Sequence, residues 1–200
     1  MKRNTLTTAV LAGLTGMAGM VSVSNAVNVN PDGLGQVLLY PYYSARGGND
    51  TLISIVNTTE RGKAVKIRFI EALNSREVLD FNIYLSPFDV WTAVVTATEA
   101  GGARMLTGDA TCTVPYFFGS PNENGVGEQL FLDFQYNAAA VPSVGFAGTI
   151  DGGPSGIERT ASGYIEVIEM GTFVEQPASA GGEGSVAFWA KHDETGVPNN

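Results

Sequence analysis

Apolar and polar side chains alternate along residues 65–69 and 79–85. In the first segment Lys66 and Arg68 separate three apolar residues, and the second segment repeats the pattern over a longer run. Because neighbouring side chains of a strand point to opposite faces, this period predicts β-strands with one face in a core. Residues 90–98, rich in valine and threonine, predict a third strand. Short turns join the three, so we expect an antiparallel meander in which the two basic residues face the acid of the second strand.

The rest of the chain also predicts short strands joined by turns. These strands are residues 36–43, 51–57, 103–107, 113–118, 129–136, 163–173 and 185–191. Residues 142–160 are rich in glycine and proline and predict a long surface loop. Strands at this spacing, in a chain with 25 glycines and few charged residues, are typical of an all-β sandwich. Two sheets then bury their apolar faces against each other.

The first 26 residues have the pattern of an export signal. Lys2 and Arg3 precede the uncharged, largely apolar stretch 6–23, and Ser24-Asn25-Ala26 supplies the small residues that a signal peptidase requires. We therefore expect cleavage after Ala26 and export through the Sec pathway to the periplasm, the cell surface or the medium. No later segment is long and apolar enough to span a bilayer, so we expect no integral membrane span after cleavage.

The mature chain is strongly acidic. Removing residues 1–26 takes two of the 11 basic residues and none of the 20 acidic ones, so the net charge changes from −9 to −11. Such a surface repels phosphate backbones, and we expect no nucleic-acid partner. Solubility outside the cell is the expected purpose of the charge, and a protein or glycan surface is the candidate partner.

Cys112 is the only cysteine of the chain, although exported proteins usually pair their cysteines. It is a candidate for a buried thiol, an intermolecular bridge, or half of an intramolecular bridge whose partner is absent from this sequence. The sequence also stops in the polar stretch 192–200, directly after a predicted strand. From both observations we expect that the sequence is the N-terminal part of a longer protein, which holds the partner cysteine downstream.

Four segments carry a resemblance to known proteins: residues 57–59, 64–72, 74–82 and 84–91. They resemble a family of exported proteobacterial proteins of unknown function. Their layout is also similar to bacterial immunoglobulin-like domains, in which an Asn ends one core strand and a Leu-x-Pro motif ends a later one. The resemblance covers roughly residues 30–95 and implies export and an immunoglobulin-like antiparallel β-sandwich, with no catalytic residue.

Together, these observations predict three parts. Residues 1–26 are the expected signal peptide, residues 27–110 the immunoglobulin-like core, and residues 111–200 a β-rich continuation with long Gly/Pro loops, truncated at its C-terminus.

The candidates for catalysis are few. His192 is the only histidine, and it lies in a polar tail beside no serine or cysteine motif, so we expect a solvated loop residue. Glu166 shares a predicted strand face with Tyr164, Ile168 and Met170, which would favour a raised pKa and a general acid. A carboxylate-dependent hydrolase using Glu71 and Glu166 is therefore an alternative, against the expectation that Glu166 pairs with a basic residue of the next strand.

Metal and cofactor sites are also weakly indicated. Oxygen ligands for calcium are available on Asn122, Glu123, Asn124, Glu128, Asp50 and Asp151, but no EF-hand loop pattern is present. We expect no cofactor and keep calcium as the alternative.

Aromatic clusters give the last candidate site, with Tyr40, Tyr42, Tyr43, Phe88 and Trp91 as members. Exposed rings would stack on sugars or bind a protein, whereas buried rings would form the core. Tyr42, Tyr43 and Trp91 are kept as candidate interaction aromatics. The expected function is thus that of an exported, non-enzymatic cell-envelope or secreted protein with a structural or adhesive role. A carbohydrate- or ligand-binding module and the hydrolase are the alternatives.

Overall fold

A computed structural model describes residues 30–115, 125–138, 140–141, 146–173 and 190–192. Its strands are β1 (Val37–Ser44), β2 (Thr51–Val56), β3 (Gly62–Glu71), β4 (Glu77–Leu85), β5 (Val90–Ala97), β6 (Ala103–Thr107), β7 (Cys112–Val114), β8 (Gly127–Leu130), β9 (Ala140–Val141), β10 (Phe146–Ala147) and β11 (Ser162–Phe173). A single helical turn, α1 (Phe134–Asn137), and a 3-10 helix (Ile157–Ala161) complete the elements. The predicted signal peptide and most of the predicted strand 185–191 lie outside the described residues.

Two antiparallel sheets account for the main strands, which confirms the predicted all-β fold. One sheet has five strands in the order β1-β11-β3-β4-β7, and the other has four in the order β2-β5-β6-β8. A further two-stranded sheet joins β9 and β10. Buried side chains of both main sheets form one hydrophobic cluster, with Phe69 and Phe81 from the first sheet and Trp91 and Met105 from the second. The finer likeness to immunoglobulin domains stays a prediction.

The alternation of apolar and polar residues in β3 and β4 determines which face of the five-stranded sheet packs against the core. Val65, Ile67 and Phe69 are buried, and Ile67 lies opposite Phe81 of β4. Lys66 and Arg68 lie on the opposite face, as the period of two requires. The core face of this sheet was therefore predicted correctly from its polar pattern.

The predicted meander is wrong in its third strand. β3 and β4 pair, but β5 pairs with β2 and β6 in the other sheet. The chain changes sheets at the turn between β4 and β5, where Phe88 has a left-handed φ of 58°. The side-chain amide of Asn57, at the end of β2, donates to the carbonyl of Ser86 over 2.7 Å and so holds this turn against the other sheet. Alternation predicts which face of a strand is buried, but not which sheet the strand joins.

The predicted strand at residues 129–136 is also wrong beyond Leu130. The amide of Phe131 still donates to Ala103 of the four-stranded sheet, whereas the amide of Leu132 donates to Val78 of the five-stranded sheet. The chain thus crosses between the sheets here and then forms α1, which buries Tyr136. Phe131 is the buried residue at the crossing and interrupts the alternation, whereas Leu132 is 40% exposed, so the alternation here did not mark a buried strand face.

β11, a late strand of the described chain, belongs to the same sheet as the first strand, β1. β11 falls in the predicted continuation, yet it lies between β1 and β3 and pairs with both. The chain divides into two compact units, Met1–Leu34 and Gly35–Asn200, and the second contains all of these strands. In the first unit, the described residues 30–34 form a turn in which Asn30 Oδ1 accepts a hydrogen bond from the amide of Asp32. No helix among the described residues has the length and apolar character to cross a membrane.

Candidate functional site

The outer face of the four-stranded sheet has no charged side chain over its first two strands and part of the third. We call it the uncharged face, and it consists of Leu52, Ser54, Val56, Val90, Thr92, Val94 and Leu106. The inward residues of the same strands, among them Ile53, Trp91 and Met105, belong to the core. The period of two that buries one side of these strands therefore leaves aliphatic and hydroxyl side chains on the other.

Exposure on the uncharged face is high for apolar residues. The side chain of Leu52 is 84% exposed and that of Val56 is 52% exposed. The strand register joins them into one patch, because Leu52 lies opposite Val94, which lies opposite Leu106, while Val56 lies opposite Val90. A shallow groove of about 440 Å³ runs over this patch, with Ser54 and Thr92 in its lining. Contiguous apolar patches of this kind mark interaction surfaces in proteins.

Arg104 and Glu128 form the border of the uncharged face. Their side chains lie 3.3 Å apart across β6 and β8, and the neighbouring Leu130 is half exposed. Each of these two charges therefore has a partner of the opposite sign. The carboxylate of Asp109 also lies beside the patch, where it accepts a hydrogen bond from the backbone amide of Thr92 over 3.0 Å. The side chains of the patch itself offer van der Waals contact and hydroxyl hydrogen bonds to a partner.

The outer face of the five-stranded sheet has the opposite chemistry. We call it the charged face, and it consists of Lys66, Arg68, Glu77, Asp80 and Glu166. Lys66 bonds Asp80, while Arg68 bonds Glu77 over 2.8 Å and Glu166 over 2.6 Å. These cross-strand pairs raise the pKa of Arg68, mainly through the hydrogen bond to Glu77. The sequence predicted that Lys66 and Arg68 face Asp80; the strand register places Arg68 opposite Asp80, and Lys66 forms the ion pair with it.

A third group of charges lies inside the molecule. We call it the buried ion cluster, and it consists of Glu71, Asp151 and Arg159. The guanidinium of Arg159 donates to both oxygens of Glu71 over 2.8 and 2.9 Å, and to both oxygens of Asp151 over 2.9 and 2.5 Å. A further hydrogen bond to the carbonyl of Pro154 uses the remaining N–H of this arginine. Its cation also lies 4.2 Å from the centre of the Tyr136 ring.

The carboxylate of Glu71 has further donors from the β3–β4 turn. The amides of Leu73, Asn74 and Arg76 all donate to it over 2.7–2.9 Å. Burial alone would raise the pKa of Glu71, but the hydrogen bonds from Arg159 and from these amides outweigh it and lower the pKa to about 2. The hydrogen bonds from Arg159 likewise lower the pKa of Asp151. Every donor and acceptor of this cluster is used internally, so it ties the fold together and has no atom left for a substrate.

The two carboxylates of the hydrolase alternative do not meet. Glu71 lies on the face of β3 that also carries Phe69, whereas Glu166 lies on the opposite face of the sheet and pairs with Arg68. A pair of catalytic carboxylates must flank one cleft. Glu166 pairs with Arg68 of the neighbouring strand, and a basic partner on the next strand is what the sequence analysis expected.

His192 contacts a serine and an aspartate that are distant in sequence. Its Nδ1 lies 3.2 Å from Ser86 Oγ and 3.6 Å from Asp89 Oδ2. Both contacts use the same ring nitrogen, whereas a Ser-His-Asp relay places the serine and the aspartate on different nitrogens. The expectation of a solvated loop residue is corrected, because the side chain is only one-fifth exposed. The contact anchors residues 190–192 to the β4–β5 turn and lacks the geometry of a catalytic triad.

The three candidate interaction aromatics separate into two environments. Tyr43 and Trp91 have no exposed surface and belong to the core, where the Tyr43 hydroxyl donates to the carbonyl of Thr160 and burial raises its pKa. Tyr42 is 67% exposed. Contact with a sugar or a protein requires an accessible ring, so of these three only Tyr42 is placed to make it. Phe88, at the β4–β5 turn, is a second exposed ring.

The candidate calcium ligands are also dispersed. Asn122, Glu123 and Asn124 lie outside the described residues. Glu128 pairs with Arg104, and Asp151 is occupied by Arg159. The described part of the chain brings together no group of three His, Cys, Asp or Glu side chains suited to a metal ion.

Cys112 is a half-buried residue of the edge strand β7, opposite Tyr84 of β4. Burial raises the pKa of its thiol, and the negative charge of Asp89 acts in the same direction. The redox role of this cysteine stays a prediction.

The buried ion cluster and the uncharged face were absent from the sequence predictions, although the sequence contains a signal for the first. The alternation of β3, continued by one step beyond Phe69, places Glu71 on the core face, and a carboxylate there requires a buried cation. Nothing near Arg159 in sequence indicates that it is this cation. The uncharged face has no local signal, because its residues come from three strands.

The chain matches no protein-family model, no curated protein and no solved structure.

Proposed function

We propose that this protein is an exported, non-enzymatic interaction domain of the cell envelope or the medium, which binds a partner through the uncharged face. The observation that carries the proposal is the contiguous exposure of Leu52, Val56, Val90 and their neighbours on a regular sheet. Export is supported by the sequence pattern of residues 1–26.

The energetic argument starts from Leu52. Apolar surface contributes roughly 25 cal/mol per Å² when it is removed from water, so burial of a leucine side chain stabilises a complex by about 1.5–3 kcal/mol. The strand presents this residue on a rigid backbone, which reduces the entropy lost on binding. A partner that covers the groove would bury several apolar side chains at once, and each would stabilise the complex in this way.

The distribution of charge points to the chemistry of the partner. The chain carries a net charge of −9, and a partner selected by charge would bind where that charge is concentrated. The uncharged face has no such group, so it suits an apolar protein surface whose rim supplies hydrogen bonds to Ser54 and Thr92. The acidic residues elsewhere keep the molecule soluble while this patch is open.

A photo-crosslinking residue at two positions tests the proposal. Placed at Leu52 in cells of the natural source, it is expected to give one discrete adduct, identified by mass spectrometry. Placed at Asp80 on the charged face, it serves as the matched control and is expected to give none. The added variant Thr92→Lys, which puts a cation into the groove, should remove the Leu52 adduct.

Each outcome has a defined meaning. An adduct with the mass of two copies would identify the partner as a second molecule of this chain, and an adduct with another protein would identify that protein. Equal adduct patterns from Leu52 and Asp80, or no adduct from Leu52, would refute the proposal. Export is tested separately by the N-terminal sequence of the secreted protein, which should begin at Val27.

A further inference from the structure

A cavity of about 500 Å³ lies where the end of β1, the β3–β4 turn and the 3-10 helix meet. Its lining combines a cation, an anion and three apolar groups: Arg46, Glu158, Ala72, Leu73 and Pro154. It is separate from the uncharged face, because none of its lining residues belongs to the four-stranded sheet. Cavities of this volume accommodate small molecules.

Arg46 is the distinctive group of this cavity. A guanidinium has five N–H donors. Nε of Arg46 donates to Ser162 Oγ over 3.1 Å, and Nη2 donates to the carbonyl of Glu158 over 2.8 Å. Arg46 is an exposed residue, and among the described residues no carboxylate lies within ion-pair distance of it, so three N–H groups are left for a ligand. Arg159, which also lines the cavity, differs because its donors are all occupied by Glu71, Asp151 and Pro154.

The guanidinium of Arg46 is also held in place before a ligand arrives. The backbone amide of Arg46 donates to Ser44 Oγ over 3.1 Å, and the neighbouring Ala45 is buried and bonded to Ala161. Both ends of this side chain are therefore anchored, at the backbone and at the guanidinium. A donor fixed in this way loses little entropy on binding, which favours recognition.

We propose that this cavity binds a small monocarboxylate with an apolar body, whose carboxylate meets the free N–H groups of Arg46. The apolar body would lie along Leu73, which is 59% exposed, and Pro154. Of the two arginines in the lining, Arg159 is held in ion pairs, so Arg46 is the one that can meet a single negative charge. The carboxylate of Glu158 in the same lining opposes a second negative charge, so phosphate-like dianions fit less well.

Titration with hexanoate, followed by amide chemical shifts of the full chain, tests this site. Saturable shifts are expected for Leu73, Glu158 and Ser162, and 1-hexanol, which has the same chain without the charge, should not produce them. Arg46→Gln should weaken hexanoate binding by about 10- to 100-fold, because a hydrogen bond to a charged group contributes about 1.5–3 kcal/mol. Arg61→Gln removes an exposed arginine outside the cavity and is the matched control, expected to bind like the natural chain.

A second variant makes the test independent of any effect of Arg46 on folding. Glu158→Gln keeps the arginine and removes the opposing charge, so hexanoate should bind about two- to five-fold more tightly. Equal shifts with hexanoate and hexanol, unchanged binding in Arg46→Gln, or weaker binding in Glu158→Gln would each overturn the proposal. The absence of saturation with hexanoate in the natural chain would do the same. None of these outcomes bears on the uncharged face.

Discussion

The buried ion cluster and the charged face contain the same chemical pairs, arginine or lysine with carboxylates, in environments that differ in their access to water. Side chains of the buried cluster are at most 5% exposed, whereas those of the Arg68 pairs are 24–36% exposed. Water can replace a lost partner on the charged face, but it cannot do so for Glu71 or Arg159. From this comparison we expect that the contribution of an ion pair to stability follows from its burial, not from its short distance.

Replacing Arg159 by methionine should have the largest effect on stability. The substitution leaves Glu71 and Asp151 without their common cation, and breaking a buried pair in this way costs about 3–5 kcal/mol. The free energy of unfolding, measured by urea denaturation followed by circular dichroism, should fall by that amount.

A triple variant separates the lost pairing from lost packing. Arg159→Met combined with Glu71→Gln and Asp151→Asn has no orphaned charge, so it should recover a substantial part of the stability. A loss below about 1 kcal/mol in the single variant would contradict the view that this cluster dominates over the exposed pairs.

Lowering the pH should have the second-largest effect on stability, because it protonates the carboxylates of the buried ion cluster. The pKa of Glu71 is about 2 in the folded chain against an ordinary value of 4.5, so its contribution to stability is fully present above pH 4.5. That contribution amounts to about 3 kcal/mol and is lost as the pH falls towards 2, because the unfolded chain then binds the proton more tightly. The pKa of Asp151 is lowered as well, so its contribution is lost in the same direction and adds to the change. Urea denaturation at several pH values between 5 and 2 measures it.

A variant of the charged face is the control for the pH dependence of stability. The variant Arg68→Gln leaves the buried cluster intact and should lose stability with falling pH over the same window as the natural chain. If the loss attributed to Glu71 disappeared in this variant, the pH dependence would originate on the charged face instead.

Arg68→Gln at neutral pH should have the smallest effect. It removes two ion pairs at once, yet exposed pairs contribute about 0–1 kcal/mol each and water solvates the remaining Glu77 and Glu166. The same urea measurement should show a change of less than about 2 kcal/mol, the upper bound for two such pairs. A loss as large as that of Arg159→Met would end the distinction between the two regions.

The parts of the fold that the sequence predicts are those decided within a few residues. β3 and β4 were placed from their alternation, and β6 (Ala103–Thr107) was predicted at its observed bounds. The partners of β5 were missed because side-chain alternation is the same in either sheet. The crossing at Phe131 and Leu132 was missed because Leu130 and Leu132 alternate with polar residues as in a strand, although both leucines are exposed.

The candidate sites were harder to predict than the fold, since they depend on residues far apart in the chain. Glu71 and Arg159 are 88 residues apart in the chain, and only the fold brings them together. Burial of Tyr43 and Trp91 likewise depends on both sheets, because aromatic residues have the same local pattern in a core and on a surface. The uncharged face could be assembled only after the register of β2, β5 and β6 was known.

The place of β11 between β1 and β3 has a consequence for the order in which the molecule folds. β3 ends at Glu71, and the strand that joins it to β1 begins only at Ser162. A ribosome that releases the chain from its N-terminus therefore produces β1 and β3 long before the strand that joins them, and both have open edges in the interval. Pairing over such long sequence separations slows folding. The five-stranded sheet can therefore be completed only when the chain as far as Phe173 is available, whereas all strands of the four-stranded sheet are present by Leu130.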